Sequence, residues 1–388
     1  MAEQVSPPLW ELLEDYPDAN LSRGVSFYLA AQSPEHQRQL GNGLDYLIDH
    51  STESFEDAGV ADMGTAVVIS RQEAGNIVHA LSQYEPLEDE PSERIVGYLN
   101  WPEPHERDSA QEVRELLDDF IQHNPDVPFG YFEGQEHVPI CMGQVRKMPA
   151  DALQPLIKDN ALMSSHDADL RFLSPGFRSE MYRNYRERGL KVVVPHVFHE
   201  PVAGKPNLNQ LLSWYDDPEL QSMQDRCYDL GVAFSADEYR MAGGYGPDYM
   251  SESMAIAGTI AATHAISLPS DGLVPEARLG TSPRRIVSKL LAGMTLNDVW
   301  QGPGDFRANE AYRKLSEDDI DKLPDISDEH RDTCLRAYAS QILGLVAAKH
   351  EFIEDGTADR IDLIFQLEAI QARLGGPANM FDFDNWRP

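Results

Sequence analysis

Between residue 61 and about residue 290, apolar strand-like runs alternate with amphipathic helical ones, and few architectures satisfy that alternation. Gly64-Thr-Ala-Val-Val-Ile-Ser70 is apolar without a two-residue rhythm, and after a break at Ser70 the pattern changes to the three-to-four spacing of a helix that ends near Leu81. Arg94-Ile-Val-Gly-Tyr-Leu-Asn100 repeats the first signal, and Ser109 to His123 repeats the second. Strands apolar on both faces and separated by helices predict an α/β fold: a mainly parallel sheet covered on both sides. Outside this stretch, Leu9 to Leu13 and Gln37 to Ile48 read as helical patches, and so do Arg284 to Leu291, Asp328 to His350 and Ala358 to Leu374. The expected organisation is therefore an N-terminal helical extension over 1–60, a catalytic domain over 61–290 and a C-terminal helical region over 291–388.

The chain carries 65 acidic residues against 32 basic ones in 388, a net charge of −33. Such a surface repels phosphate backbones and anionic lipid, which argues against nucleic acid as a partner. No stretch approaches the roughly 20 apolar residues that span a bilayer, and the N-terminus lacks a signal-peptide pattern, so a cytoplasmic protein without a membrane span is expected. Cys141, Cys227 and Cys334 are too scattered for a zinc knuckle or a disulfide framework and read as reduced thiols. His196 and His199, three apart on an extended backbone, point to opposite faces and do not share a metal.

Asp167-Ala-Asp169 closes the run Asn160-Ala-Leu-Met-Ser-Ser-His166 as a strand does when it brings carboxylates to the rim of a sheet. Aspartates two apart on an extended backbone project from one face and can approach one hard divalent cation. In so acidic a chain the same triplet also reads as two solvated acids in a turn. Downstream, Gly231-Val-Ala-Phe-Ser-Ala-Asp-Glu-Tyr-Arg-Met-Ala-Gly-Gly-Tyr245 is followed by Ser251-Glu-Ser-Met254.

In this order the motifs resemble the nucleotide-sugar glycosyltransferases of the GT-A fold, family 2 type, over roughly residues 62 to 290. The resemblance implies a metal-assisted, inverting transfer of a sugar from a nucleotide-diphosphate donor to a hydroxyl acceptor, with Mn2+ or Mg2+ as cofactor. It makes Asp169 the direct metal ligand, with Asp167 on the ribose or a metal-bound water, and His264 a third ligand. Ser70, Glu73 and Asn100 would meet the nucleobase and ribose; Asn100 stands where relatives carry Asp. Arg146 and Lys147, with Arg284 and Arg285 of Gly280-Thr-Ser-Pro-Arg-Arg285, would face the diphosphate. The base falls to Glu252, with Asp248 as the alternative, because Ser253 replaces the aspartate of the usual Glu-Asp pair.

Each assignment has a plainer counterpart. Glu73 also reads as a helix-start acid favoured by the macrodipole, His166 as a structural histidine, and the arginine pair as partners of nearby carboxylates. Two other functions fit the pattern. A noncatalytic nucleotide- or carbohydrate-binding protein of this fold would explain Ser253. A nucleotidyltransferase would need a glycine-rich phosphate loop, which Ser70-Arg-Gln-Glu-Ala-Gly75 does not supply.

Overall fold

A computed structural model describes residues 9–15, 19–70, 74–84, 91–101, 110–135, 142–168, 170–224, 230–246, 252–283, 286–287, 322, 324–350 and 357–383. The fold is α/β, as the alternating pattern predicts. Among the described residues, eight strands form one sheet in the order β3-β2-β1-β4-β7-β6-β8-β5. They are β1 (Ala61–Ser70), β2 (Glu93–Trp101), β3 (Phe129–Gln135), β4 (Ile157–Asp167), β5 (Phe172–Leu173), β6 (Val192–His199), β7 (Ala233–Ser235) and β8 (Leu273–Thr281).

The neighbours β3-β2, β2-β1 and β1-β4 run parallel, whereas β7 pairs antiparallel with both β4 and β6, and β5 antiparallel with β8. The parallel half is the apolar half. Every residue of β2 is buried, and β1 is buried from Met63 to Ile69, so side chains of both faces are covered by helices.

The helices before the sheet are α1 (Leu9–Asp15), α2 (Arg23–Ala30), α3 (Pro34–Asp49) and α4 (Glu53–Asp57). Ser22, Ser33 and Thr52 cap the last three by accepting backbone N–H bonds, a choice that satisfies donors with no partner inside the helix. This segment is not an appendage. Leu40, Leu44 and Leu47 of α3 are fully buried, a methyl group added at Gly43 would meet the Phe132 ring of β3 at 2.5 Å, and the Thr52 hydroxyl donates to Val127 O at 2.6 Å.

Within the alternating part, α5 (Ile77–Ser82) and α6 (Gln111–His123) follow β1 and β2, and α7 (Met142–Leu153) precedes β4. The helix α8 (Phe177–Arg188) follows β5. Two compact units result: residues 1–197 with 228–280, and residues 198–227 with 281–388. The expected boundary at residue 60 thus falls inside the first unit, and the second recruits a segment from the middle of the chain.

In the second unit, α9 (Pro206–Tyr215) and α10 (Pro218–Met223) pack with two C-terminal helices, numbered below after α11 (Ala236–Met241) and α12 (Glu252–His264) of the first. These are α13 (Asp328–His350) and α14 (Thr357–Leu374), which match the helical periodicity of the sequence. Trp214 Nε1 donates to Gly375 O at 3.0 Å, and Arg373 meets Asp217 at 2.6 Å.

Candidate functional site at the carboxyl rim of the sheet

The strand order reverses direction at β1. The chain steps from β1 to β2 to β3 on one side and then crosses to β4 on the other. In open α/β sheets that reversal leaves a crevice outside the carboxyl ends of the two central strands, and ligands settle there.

The register shows what lines it. Ser70 is opposite Asn100, Val68 is opposite both Tyr98 and Asp167, and alternate residues share a face. Ser70, Asn100 and Asp167 therefore project from one face at the carboxyl ends of three adjacent strands. The same face receives α7, whose Arg146 donates from Nη1 to Ser165 Oγ at 3.0 Å and places Nη2 2.8 Å from Asp167 Oδ1. That second contact is an ion pair outside hydrogen-bond alignment. Arg146 is buried, whereas the Asp167 side chain keeps 30% of its exposure.

Asn100 is the unusual member. It is 9% exposed, and its Oδ1 is buried with no hydrogen-bond partner among the described residues. A buried acceptor left unpaired costs about 1–3 kcal/mol, and such groups persist where a ligand supplies the missing donor.

Not every residue expected at the site reaches it. His166 lies one position before Asp167 and so points to the other face, where its Nδ1 is 2.6 Å from the Tyr84 hydroxyl and its ring meets Phe177. Burial pushes its pKa down to about 3, against the smaller raising effect of Asp167, so it is a neutral core histidine. Lys147 turns away from Arg146 toward α2: it donates to the Tyr28 hydroxyl at 2.7 Å and lies 3.2 Å from Asp151.

His264 also stands apart from Asp167. Its Nε2 is 2.7 Å from Glu238 Oε1 on α11. Because β7 runs antiparallel to β4 and leads into α11, that helix sits toward the amino end of β4, as the 2.8 Å contact of Arg240 with Asp159 confirms. Among the described residues, His264 thus partners Glu238 and Lys147 partners Tyr28 and Asp151, and neither is brought together with Asp167.

Glu252 is the first residue of α12, a backbone placement only. Glu73, Asp169, Asp248, Arg284 and Arg285 lie outside the described residues. Among the described residues no group of three His, Cys, Asp or Glu side chains is arranged to hold a metal, and no helix is long and apolar enough to cross a membrane.

Sequence reading missed a second polar cluster in the same unit. Asp151 of α7 is fully buried and its oxygens meet Tyr28 and Tyr239 hydroxyls and His36 Nε2, each at 2.8 Å. The Tyr239-x-x-x-Gly-Gly-Tyr245 spacing marked half of this cluster, but Asp151 itself sits in a run, Met-Pro-Ala-Asp-Ala-Leu, with no outward signal.

No protein-family model matches the chain, and no curated protein does. Among solved structures it is similar to residues 1–349 of S. aureus TarS, at 7% identity and a TM-score of 0.37, over 74% of this chain and 85% of that one. It is similar also to the mannosyltransferase PcManGT of Pyrobaculum calidifontis in complex with GDP-Man and Mn2+, at 14% identity and a TM-score of 0.40, over 97% of this chain and 99% of that one. TarS in complex with UDP aligns at 9% identity and a TM-score of 0.36, over 72% of each chain. Likeness of this degree carries no assignment, and the reading below stands on the residues of the rim.

Proposed function

We propose that the chain is a nucleotide-sugar glycosyltransferase of the GT-A type, with its donor at the rim formed by Ser70, Asn100, Asp167 and Arg146. The supporting observation is the buried Asn100 oxygen beside Ser70, unpartnered among the described residues, on the same face as the Asp167–Arg146 pair and at the topological switch point. An acceptor oxygen in that position suits an N–H of a nucleobase, and a carboxylate–guanidinium pair one strand beyond β1 suits the diphosphate that follows the ribose. Glu73, from the segment after β1, would complete the base and ribose contacts.

As the glycosidic bond breaks, the nucleotide diphosphate leaves with added negative charge, and the site must meet it without reorganising. Arg146, already fixed by Ser165 and Asp167, is suited to this. The donor set also fits a hard divalent cation: Asp167 presents a part-exposed carboxylate whose Oδ1 is engaged by Arg146, leaving Oδ2 for a cation together with Asp169. Bound there, Mn2+ or Mg2+ would supply Lewis-acid neutralisation of the leaving group. Glu252, at the start of α12, is the general base of an inverting transfer in this reading, and Asp248 its substitute.

One observation favours the noncatalytic alternative: Ser253, where the resemblance places an aspartate, is buried and lies 3.1 Å from the Tyr245 hydroxyl, so it takes no proton from an acceptor. Calorimetric titration with UDP and GDP in the presence of Mn2+, beside a nucleotide-release assay with their sugars, separates the two readings. Asn100→Leu should weaken nucleotide binding by about 1–3 kcal/mol, the worth of one buried hydrogen bond to a polar partner. Asp167→Asn should remove the Mn2+ dependence. Unchanged affinity in both variants sinks the placement of the donor, and binding without turnover in the unsubstituted protein favours the sensor.

A further inference from the structure

The cluster around Asp151 does more than fill a core. Four elements converge on one carboxylate: Tyr28 of α2, His36 of α3, Lys147 of α7 and Tyr239 of α11. Burial alone would raise the Asp151 carboxyl, but the Lys147 charge and the His36 and Tyr239 hydrogen bonds outweigh it and hold its pKa below the ordinary value. Burial and the Asp151 charge push the Tyr28 and Tyr239 phenols up, so both remain neutral donors.

The cluster grips the turn after α11. Gly243 and Gly244 adopt φ of +88° and +74°, and a methyl group at Gly244 would fall 2.1 Å from the Tyr28 hydroxyl, 2.8 Å from Lys147 Nζ and 3.1 Å from the Tyr239 hydroxyl. Only glycine permits both that backbone and that approach. Tyr239 then holds the turn by three means. Its carbonyl accepts from Gly244 N at 2.9 Å, its hydroxyl accepts from Tyr245 N at 3.4 Å, and its ring meets the Tyr245 ring edge-on at 5.5 Å. Tyr245 passes the constraint on, since its hydroxyl lies 3.1 Å from Oγ of Ser253, a fully buried residue in the first turn of α12.

We infer that Asp151, Tyr239 and Tyr245 form a relay that positions the first turn of α12, and with it Glu252, from a buried anchor shared with the N-terminal helices. The catalytic part of this inference rests on the transferase reading; the relay itself does not. Tyr28, Lys147, Asp151, Tyr239 and Tyr245 are positioning residues, and none of them needs to touch a substrate. The N-terminal helices thereby become part of the acceptor side of the site.

Tyr239→Phe tests the relay, because it removes the hydroxyl and keeps the ring that stacks on Phe234 at 6.0 Å. Hydrogen exchange on the full chain should show faster exchange of amides in 243–245 and in the first turn of α12, by roughly fivefold, the effect of losing one buried hydrogen bond. Exchange of α5 and α6 should not change. Affinity for UDP or GDP with Mn2+ should stay within about twofold, while turnover falls on the order of ten- to a hundredfold with donor KM unaltered. Tyr239→Phe with Tyr245→Phe should be no worse than the poorer single variant, since both break one chain of contacts.

Unaltered exchange at α12, or additive losses in the double variant, overturn the relay. Faster exchange at α12 with full turnover overturns its catalytic role. If the unsubstituted protein turns over no nucleotide sugar, the transferase reading fails and takes the catalytic role with it, and the exchange data still decide the relay.

Discussion

Asp151 occupies a position where a carboxylate is hard to keep ionised, with no exposed surface and two phenols beside it. Its charge persists because Lys147 and the surrounding donors outweigh burial. Asp151→Asn should therefore lower stability at pH 7 by about 3–5 kcal/mol, because it leaves the Lys147 charge in the core without its counterion. The sign of the pH dependence follows from the lowered pKa. The ionised form stabilises the fold above the unfolded-state value of about 3.9, and that contribution is lost as pH falls through the lower folded-state value. Urea midpoints of the two proteins should thus be far apart at pH 7 and converge below about pH 4. A constant gap would mean that Asp151 acts by shape alone. Residues at strand ends could be read ahead of the structure, since the strand period alone aims Asn100 and Asp167. Arg146 and Lys147 could not both be read so, because successive helix residues are turned by about 100° and only one can face the rim. Asp151 was unreadable for a further reason: its partners lie 88 to 123 positions away in sequence, except Lys147 on its own helix.

At the scale of elements, β1, β2 and the helix α3 were readable as elements, but the surface on which α3 packs was not. Short runs apolar on both faces and bounded by breaks favour a buried strand, so β2 appears within one residue of the expected limits and β1 within three. The helix α3 carries the same apolar stripe whether it covers its own domain or a partner, and only the structure shows Gly41 against Leu9 and Gly43 against Phe132. Gly43→Ala tests that seam through two opposed magnitudes. Helix propensity favours alanine by about 1 kcal/mol, whereas overpacking a fixed core costs about 1–3 kcal/mol. The Phe132 ring would lie 2.5 Å from the new methyl and is itself 1% exposed, so it has nowhere to move. Overpacking should win, with a net loss of up to about 2 kcal/mol. Gly258→Ala on α12, where a methyl would meet nothing within 4 Å, supplies the control and should stabilise by about 0.5–1 kcal/mol. Thermal unfolding of the two variants should move in opposite directions. If both rise, α3 is seated more loosely on β3 than its buried leucines indicate.

At the scale of the whole molecule, composition foretold the charge but not the division into units. The sequence pattern places a boundary where strands give way to helices, near residue 290, whereas compactness also assigns residues 198–227 to the second unit, because α9 buries Leu208, Leu211 and Trp214 there and α10 buries Leu220. Charge is a different kind of property, since it needs no contact to act. At most 32 of 65 carboxylates can pair one to one with a basic side chain, so the surplus repels itself across the surface. Pairs such as Arg38 with Glu35 are exposed, and each is worth about 0–1 kcal/mol, too little to offset a net charge of −33. Added salt weakens both effects, but the repulsion is the larger one. Its range shrinks from about 10 Å at 0.1 M to about 3 Å at 1 M. The thermal midpoint should therefore rise with KCl over that interval. Tetramethylammonium chloride at the same ionic strength should raise it by a similar amount if screening is the cause, and by less if K+ binds the carboxylates specifically. A flat or falling midpoint in both salts would show that the surplus acids are spaced widely enough for water alone to separate them, as in an ordinary acidic protein.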